Sequence, residues 1–81
     1  MELTEAQHKQ LTAILTIWEP AQRPPTFDQL NTYLYGERTN TGASVSRVVA
    51  ALEEKGAVTV TWSPAENDEV ITPTNEGRAA L

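Results

Sequence analysis

Leu11, Ile14, Leu15 and Trp18 recur at i, i+3, i+4 and i+7. That spacing lays four apolar side chains along one face of an α-helix. Thr4 and Gln7 precede them at capping-box spacing, and Pro20 is expected to end the run. The helix is therefore predicted over about residues 4–19. "PAQRPP" (20–25) is a stiff connector that cannot continue it. A second Thr-x-x-Gln, Thr26 to Gln29, opens a shorter stripe of Phe27, Leu30 and Leu34 that Gly36 closes. This predicts a helix over about 26–35, followed by a polar turn, "ERTNTG" (37–42). Val45, Val48, Val49 and Leu52 repeat the helical spacing a third time, over about 41–55. The hydroxyl of Thr41 is the expected cap, and Gly56 is the stop.

Beyond Gly56 the period changes from about 3.6 to 2. Val58, Val60 and Trp62 alternate with Thr59, Thr61 and Ser63, which is the pattern of a strand with one buried face. "PAENDE" (64–69) reads as a loop and "VITPT" (70–74) as a returning strand. A hairpin is expected at about 57–63 and 69–73, with the start of a last helix over about 74–81. Trp18 and Trp62 fall on the faces expected to be buried. Tyr33 and Tyr35, at the end of the second helix, are also expected to serve the core.

Composition narrows what such a domain can do. The 81 residues contain no Cys and one His, His8. That leaves no thiol chemistry, no credible metal site and no Ser–His–Asp constellation. There is no glycine-rich phosphate loop, and the carboxylates show no spacing that suggests acid–base work. An enzyme is not expected, and no cofactor or metal is called for. The N-terminal "MELTEAQHKQ" is unlike a signal peptide, and no apolar run reaches the roughly 20 residues of a membrane span. A cytoplasmic protein that avoids membranes is expected.

The formal net charge is -5, which disfavours simple coating of nucleic acid. The charge is unevenly spread. Residues 1–20 carry -2, residues 21–63 carry zero, and residues 64–81 carry -3. A neutral middle lies between acidic ends, and it holds the third helix.

The order of elements and two sets of motifs point the same way. "LTEAQHKQLTAIL" (3–15) with "RPPTFDQLNTYLYG" (23–36) resembles the N-terminal domain of LexA-type repressors. "VSRVVAALEEKGAV" (45–58) with "ITPTNEGRAAL" (71–81) is similar to MarR-type regulators. Both resemblances imply an α+β winged helix: a three-helix bundle with a helix-turn-helix, followed by a two-stranded hairpin, the wing. They also imply sequence-specific binding of double-stranded DNA in transcriptional control. The third helix would enter the major groove through Thr41, Ala43, Ser44, Ser46 and Arg47.

Each of these residues has a second reading. Arg47 suits a bidentate contact to guanine; otherwise it is a solvated side chain, paired with Glu54 or Glu37. Ala43, Ala50 and Ala51 let a helix seat closely in a groove, but alanine also simply favours helix. Thr41, Ser44 and Ser46 suit phosphate or capping. Arg23, Thr26, Arg38 and Thr39 are further phosphate candidates, and capping alone explains Thr26. The wing tip Glu66, Asn67, Asp68, Glu69 would repel phosphate. It is either a solvated loop, a wing that points away from DNA, or a surface for another partner. A homodimer is expected, with Ile17 and Ala79–Leu81 as candidate contacts. The rival reading is a winged-helix module that binds another regulator, polymerase or replication protein through its acidic surface without binding DNA.

Overall fold

The computed structural model describes residues 1–36 and 42–81. Its elements run α1 Glu5–Ala21, α2 Phe27–Tyr35, α3 Gly42–Glu54, β1 Val58–Ser63, β2 Asp68–Pro73 and α4 Asn75–Ala79. Both expected capping boxes form. Thr4 accepts from the Gln7 backbone N–H while the Gln7 side chain accepts from Thr4 N–H, and Thr26 and Gln29 repeat the exchange. Each box satisfies two amides that a helix start leaves unpaired.

Pro20 does not end α1. The helix runs to Ala21 with Pro20 inside its last turn. There the missing N–H forfeits one bond at an end that is about to stop anyway. Gln22 ends the helix instead, in the left-handed region at φ 54°, with its N–H donated to the Trp18 carbonyl at 2.7 Å. Its side chain adds a bond from Nε2 to the Glu19 carbonyl at 2.8 Å. This local bond helps a non-glycine residue hold a conformation that glycine would adopt freely.

The apolar stripes meet in one core. Leu11 and Ile14 of α1, Leu30 of α2, Val45 and Leu52 of α3, and Ile71 of β2 are fully buried, with Val49, Ala57 and Val58 alongside. Phe27, Leu34, Val48 and Val60 are half-buried against them. Gln10 is buried among these apolar groups, and its Nε2 donates to the Val45 carbonyl at 3.2 Å. That bond ties the middle of α1 to the first turn of α3, and it supplies the partner a buried amide requires.

β1 and β2 form an antiparallel pair from Val58↔Pro73 to Ser63↔Asp68. A further bridge, Thr26↔Val70, joins the entry of α2 to β2, where Ile71 N–H donates to the Pro25 carbonyl at 3.0 Å. α4 lies across the base of the hairpin. Its cap, Thr74, donates from its hydroxyl to the Gly56 carbonyl at 2.6 Å and from its N–H to the Ala57 carbonyl at 3.0 Å. Arg78 then reaches the Trp18 ring, 5.3 Å from its centroid, so α4 and α1 are joined by a cation–π contact.

Three aromatic expectations are overturned. Trp62 is 59% exposed, Tyr33 54% and Tyr35 45%. For Trp62 the alternation holds but the core runs out. Along one face of β1, Val58 is buried, Val60 half-buried and Trp62 exposed, so the hairpin outruns the helices that cover its base. The tyrosines sit where α2 turns its apolar stripe away: Leu30 is buried, while positions 33 and 35 face outward. Among the described residues no helix is long and apolar enough to cross a membrane.

Candidate nucleic-acid interface

α3 presents two chemically different faces. Val45, Val49 and Leu52 are held in the core, which fixes the rotation of the helix. The opposite face carries Ala43, Ser44, Ser46, Arg47 and Ala50, all exposed. Four of the residues singled out by sequence therefore share one solvent face. Arg47 has no ion-pair partner among the described residues, and in particular none in Glu54. Among the described residues nothing occupies the five donors of its guanidinium. Further along the same helix Glu53 and Glu54 are exposed, so the face is neutral to basic in its N-terminal half and acidic in its C-terminal half. The N-terminal part of a recognition helix is the part that reaches base edges.

The other candidates fare differently. Thr41, Arg38 and Thr39 lie outside the described residues. Arg23 is exposed in the connector between α1 and α2. Thr26, expected near phosphate, is instead buried, with its hydroxyl accepting from Gln29 N–H at 3.0 Å. The fold uses its side chain as a cap and its backbone as a bridge to β2. Ile17, expected as a dimer contact, is half-buried against the core, whereas Ala79 and Leu81 are exposed.

Cations available to phosphate are few. Lys55 is drawn to the start of α1, where its Nζ donates to the Glu2 carbonyl at 2.7 Å and to Gln7 Oε1 at 2.6 Å. Arg78 lies over Trp18. Lys9, Arg23, Arg47 and Lys55 are the exposed cations among the described residues, and of these Lys55 is engaged at the start of α1.

The wing tip answers one question its acidity raised. Pro64 to Asn67 form the turn, with Asn67 N–H donating to the Pro64 carbonyl at 3.3 Å and Asn67 in the left-handed region at φ 52°. Asp68 does not point into solvent. Its Oδ2 accepts from the Asp28 backbone N–H at 3.0 Å, and its Oδ1 accepts from Glu69 N–H at 2.7 Å. Asp28 is the second residue of α2, so its amide is one of those a helix start leaves free. The wing thus lays a carboxylate on the positive end of α2, where a negative charge is favoured. Sequence reasoning grouped Asp68 with the free acids because its partner lies 40 residues away. Replacing Asp68 by Ala removes a cap and is expected to cost about 1 kcal/mol of stability; urea denaturation would measure it. Glu66→Gln, whose side chain has no partner among the described residues, should by contrast leave the unfolding midpoint nearly unchanged.

No protein-family model matches the sequence, and no curated protein matches it. Among solved structures the chain resembles a MarR-like transcriptional regulator from Thermotoga maritima, with 21% sequence identity and a TM-score of 0.59 over 88% of this chain. The fold is a winged helix. α1 to α3 are its bundle, α2 and α3 its helix-turn-helix, and β1–β2 its wing. This chain spans 47% of that regulator's length. This likeness agrees with the MarR-type resemblance visible in the sequence.

Proposed function

We infer that this winged helix is a sequence-specific DNA-binding module of a transcriptional regulator, with the N-terminal half of α3 seated in the major groove. The observation that carries this reading is the exposed face Ala43, Ser44, Ser46, Arg47, Ala50. The helix is held rigidly by its opposite side, carries little bulk outward, and offers one guanidinium with no ion-pair partner among the described residues. Alanine methyls suit the thymine methyl group and arginine suits guanine O6 and N7. Ser44, Ser46, Arg23 and the expected Arg38 and Thr39 would position the module on phosphates.

With so few cations one module binds weakly at cellular salt. A homodimer on a two-fold site restores affinity by placing the second contact at high effective concentration. The test is fluorescence anisotropy against duplexes with a randomised core, followed across a salt series. Saturable binding is expected, with a log–log salt slope of only about -3 per bound copy. A folded protein that binds no duplex even at low salt would sink the reading.

A further inference from the structure

Trp62 is 59% exposed and lies on the same face of β1 as the core residues Val58 and Val60. Nothing in the fold requires an aromatic ring there, because it does not pack against the core. In the ladder it stands directly opposite Glu69. Opposite residues project to one side of a sheet with Cβ atoms about 5 Å apart. Half-buried Val60 continues the apolar strip toward the base. The hairpin segment has one sign: from Gly56 to Gly77 the chain contains Glu66, Asp68, Glu69 and Glu76 and no Lys or Arg. Asp68 is spent on α2. The side chains of Glu66 and Glu69 have no partner among the described residues. An exposed indole face beside free carboxylates attracts a cation through both the ring and the charge. The chain already makes the ring half of this contact once, between Arg78 and Trp18.

We propose that the Trp62–Glu69 face of the wing docks an arginine-rich segment of a protein partner. Charge selects the partner, since phosphate is repelled by the same carboxylates that attract a guanidinium. Arginine is preferred to lysine because its planar head stacks on an indole while donating to a carboxylate. The proposal goes beyond the DNA reading and is independent of it, because α3 and Arg47 take no part.

The experiment is a two-dimensional 15N NMR titration of the full chain with hexa-arginine amide at low ionic strength. The Trp62 indole N–H and the amides of residues 66–70 are expected to shift saturably. Hexalysine amide should bind about two- to five-fold more weakly. Trp62→Ala should weaken hexa-arginine binding by about two- to five-fold and Glu69→Gln by about two-fold, with Glu76→Gln, the same loss of charge elsewhere, changing it little. Both wing residues are exposed, and a dispersed spectrum would establish that each variant is folded. Arg47→Ala should leave the titration unchanged, and Trp62→Ala should leave duplex binding unchanged, so either reading can fail alone. The proposal is overturned if Trp62→Ala and Glu69→Gln bind the peptide as well as the parent chain, or if shifts spread equally over all acidic residues. It is also overturned if the Trp62 indole moves with protein concentration alone, which would assign the face to a second copy, or with duplex DNA but not with peptide.

Discussion

Gly77→Ala should cost about 3 kcal/mol and lower Tm by about 10–20 °C. A Cβ built at Gly77 meets backbone, not a flexible side chain: the Ala57 carbonyl carbon at 2.9 Å and its Cα at 3.0 Å, with the carbonyl oxygen nearer still. Neither partner has room to give. Ala57 and Val58 are buried at the start of β1, so moving that strand disturbs the core. Moving α4 outward breaks the Thr74 bonds to the carbonyls of Gly56 and Ala57 and lifts Arg78 from Trp18. Thermal and urea unfolding would measure the loss, and Trp18 fluorescence would report the undocking of α4. An unchanged Tm would mean that α4 does not rest on β1 as described. Ala79→Gly is a useful contrast, since that residue is exposed on the same short helix and should cost only the propensity difference of about 1 kcal/mol.

The same glycine illustrates what sequence conveyed and what it did not. Gly77 and Arg78 lie in the segment that is similar to MarR-type regulators, but their reasons are spatial. One allows a close approach to β1, and the other covers an indole on α1. Local signals carried well because local physics sets them. Both Thr-x-x-Gln boxes formed, and the three apolar stripes became the three buried helix faces, since capping and periodicity are decided within a few residues. Long-range bonds left no such trace. Gln10 binds Val45 across 35 residues, Asp68 caps α2 across 40, and Lys55 clasps the chain start across 53. Each looked like an ordinary surface polar residue. The bridge from Thr26 to Val70 is one residue long, too short for any period to announce. Trp62 departs from its expected burial for a related reason: alternation gives the side of a strand, whereas the extent of the helical layer covering that side is a tertiary property.

These long-range contacts also bear on function. Asp68 and Lys55 are charged residues that sequence counted toward the surface field, and the fold commits both to holding elements together. Among the described residues, little positive charge remains near the α3 face. On the proposed DNA reading, recognition would lean on shape and on one arginine more than on phosphate attraction.

Arg47→Ala is accordingly the substitution with the largest expected effect on binding. On a duplex selected from the random pool, affinity should fall by about 5- to 150-fold, the worth of one good bidentate base contact. The preference for guanine at one position should vanish with it. On unselected duplex the loss should be small. The salt slope separates two roles for the same residue. A base contact leaves the slope nearly unchanged, whereas a phosphate contact reduces its magnitude by about 0.9. Arg47→Lys sharpens the distinction, because it keeps the charge but not the fork. It should relax specificity almost as far as alanine if Arg47 reads a base, and restore most binding if it meets phosphate. Stability should not confuse the result, since Arg47 is exposed and has no ion-pair partner among the described residues. Circular dichroism would check that the variant is folded. If Arg47→Ala binds the selected duplex with unchanged affinity and preference, α3 is not the reading element. The basic-partner role of the wing would then be the function left standing.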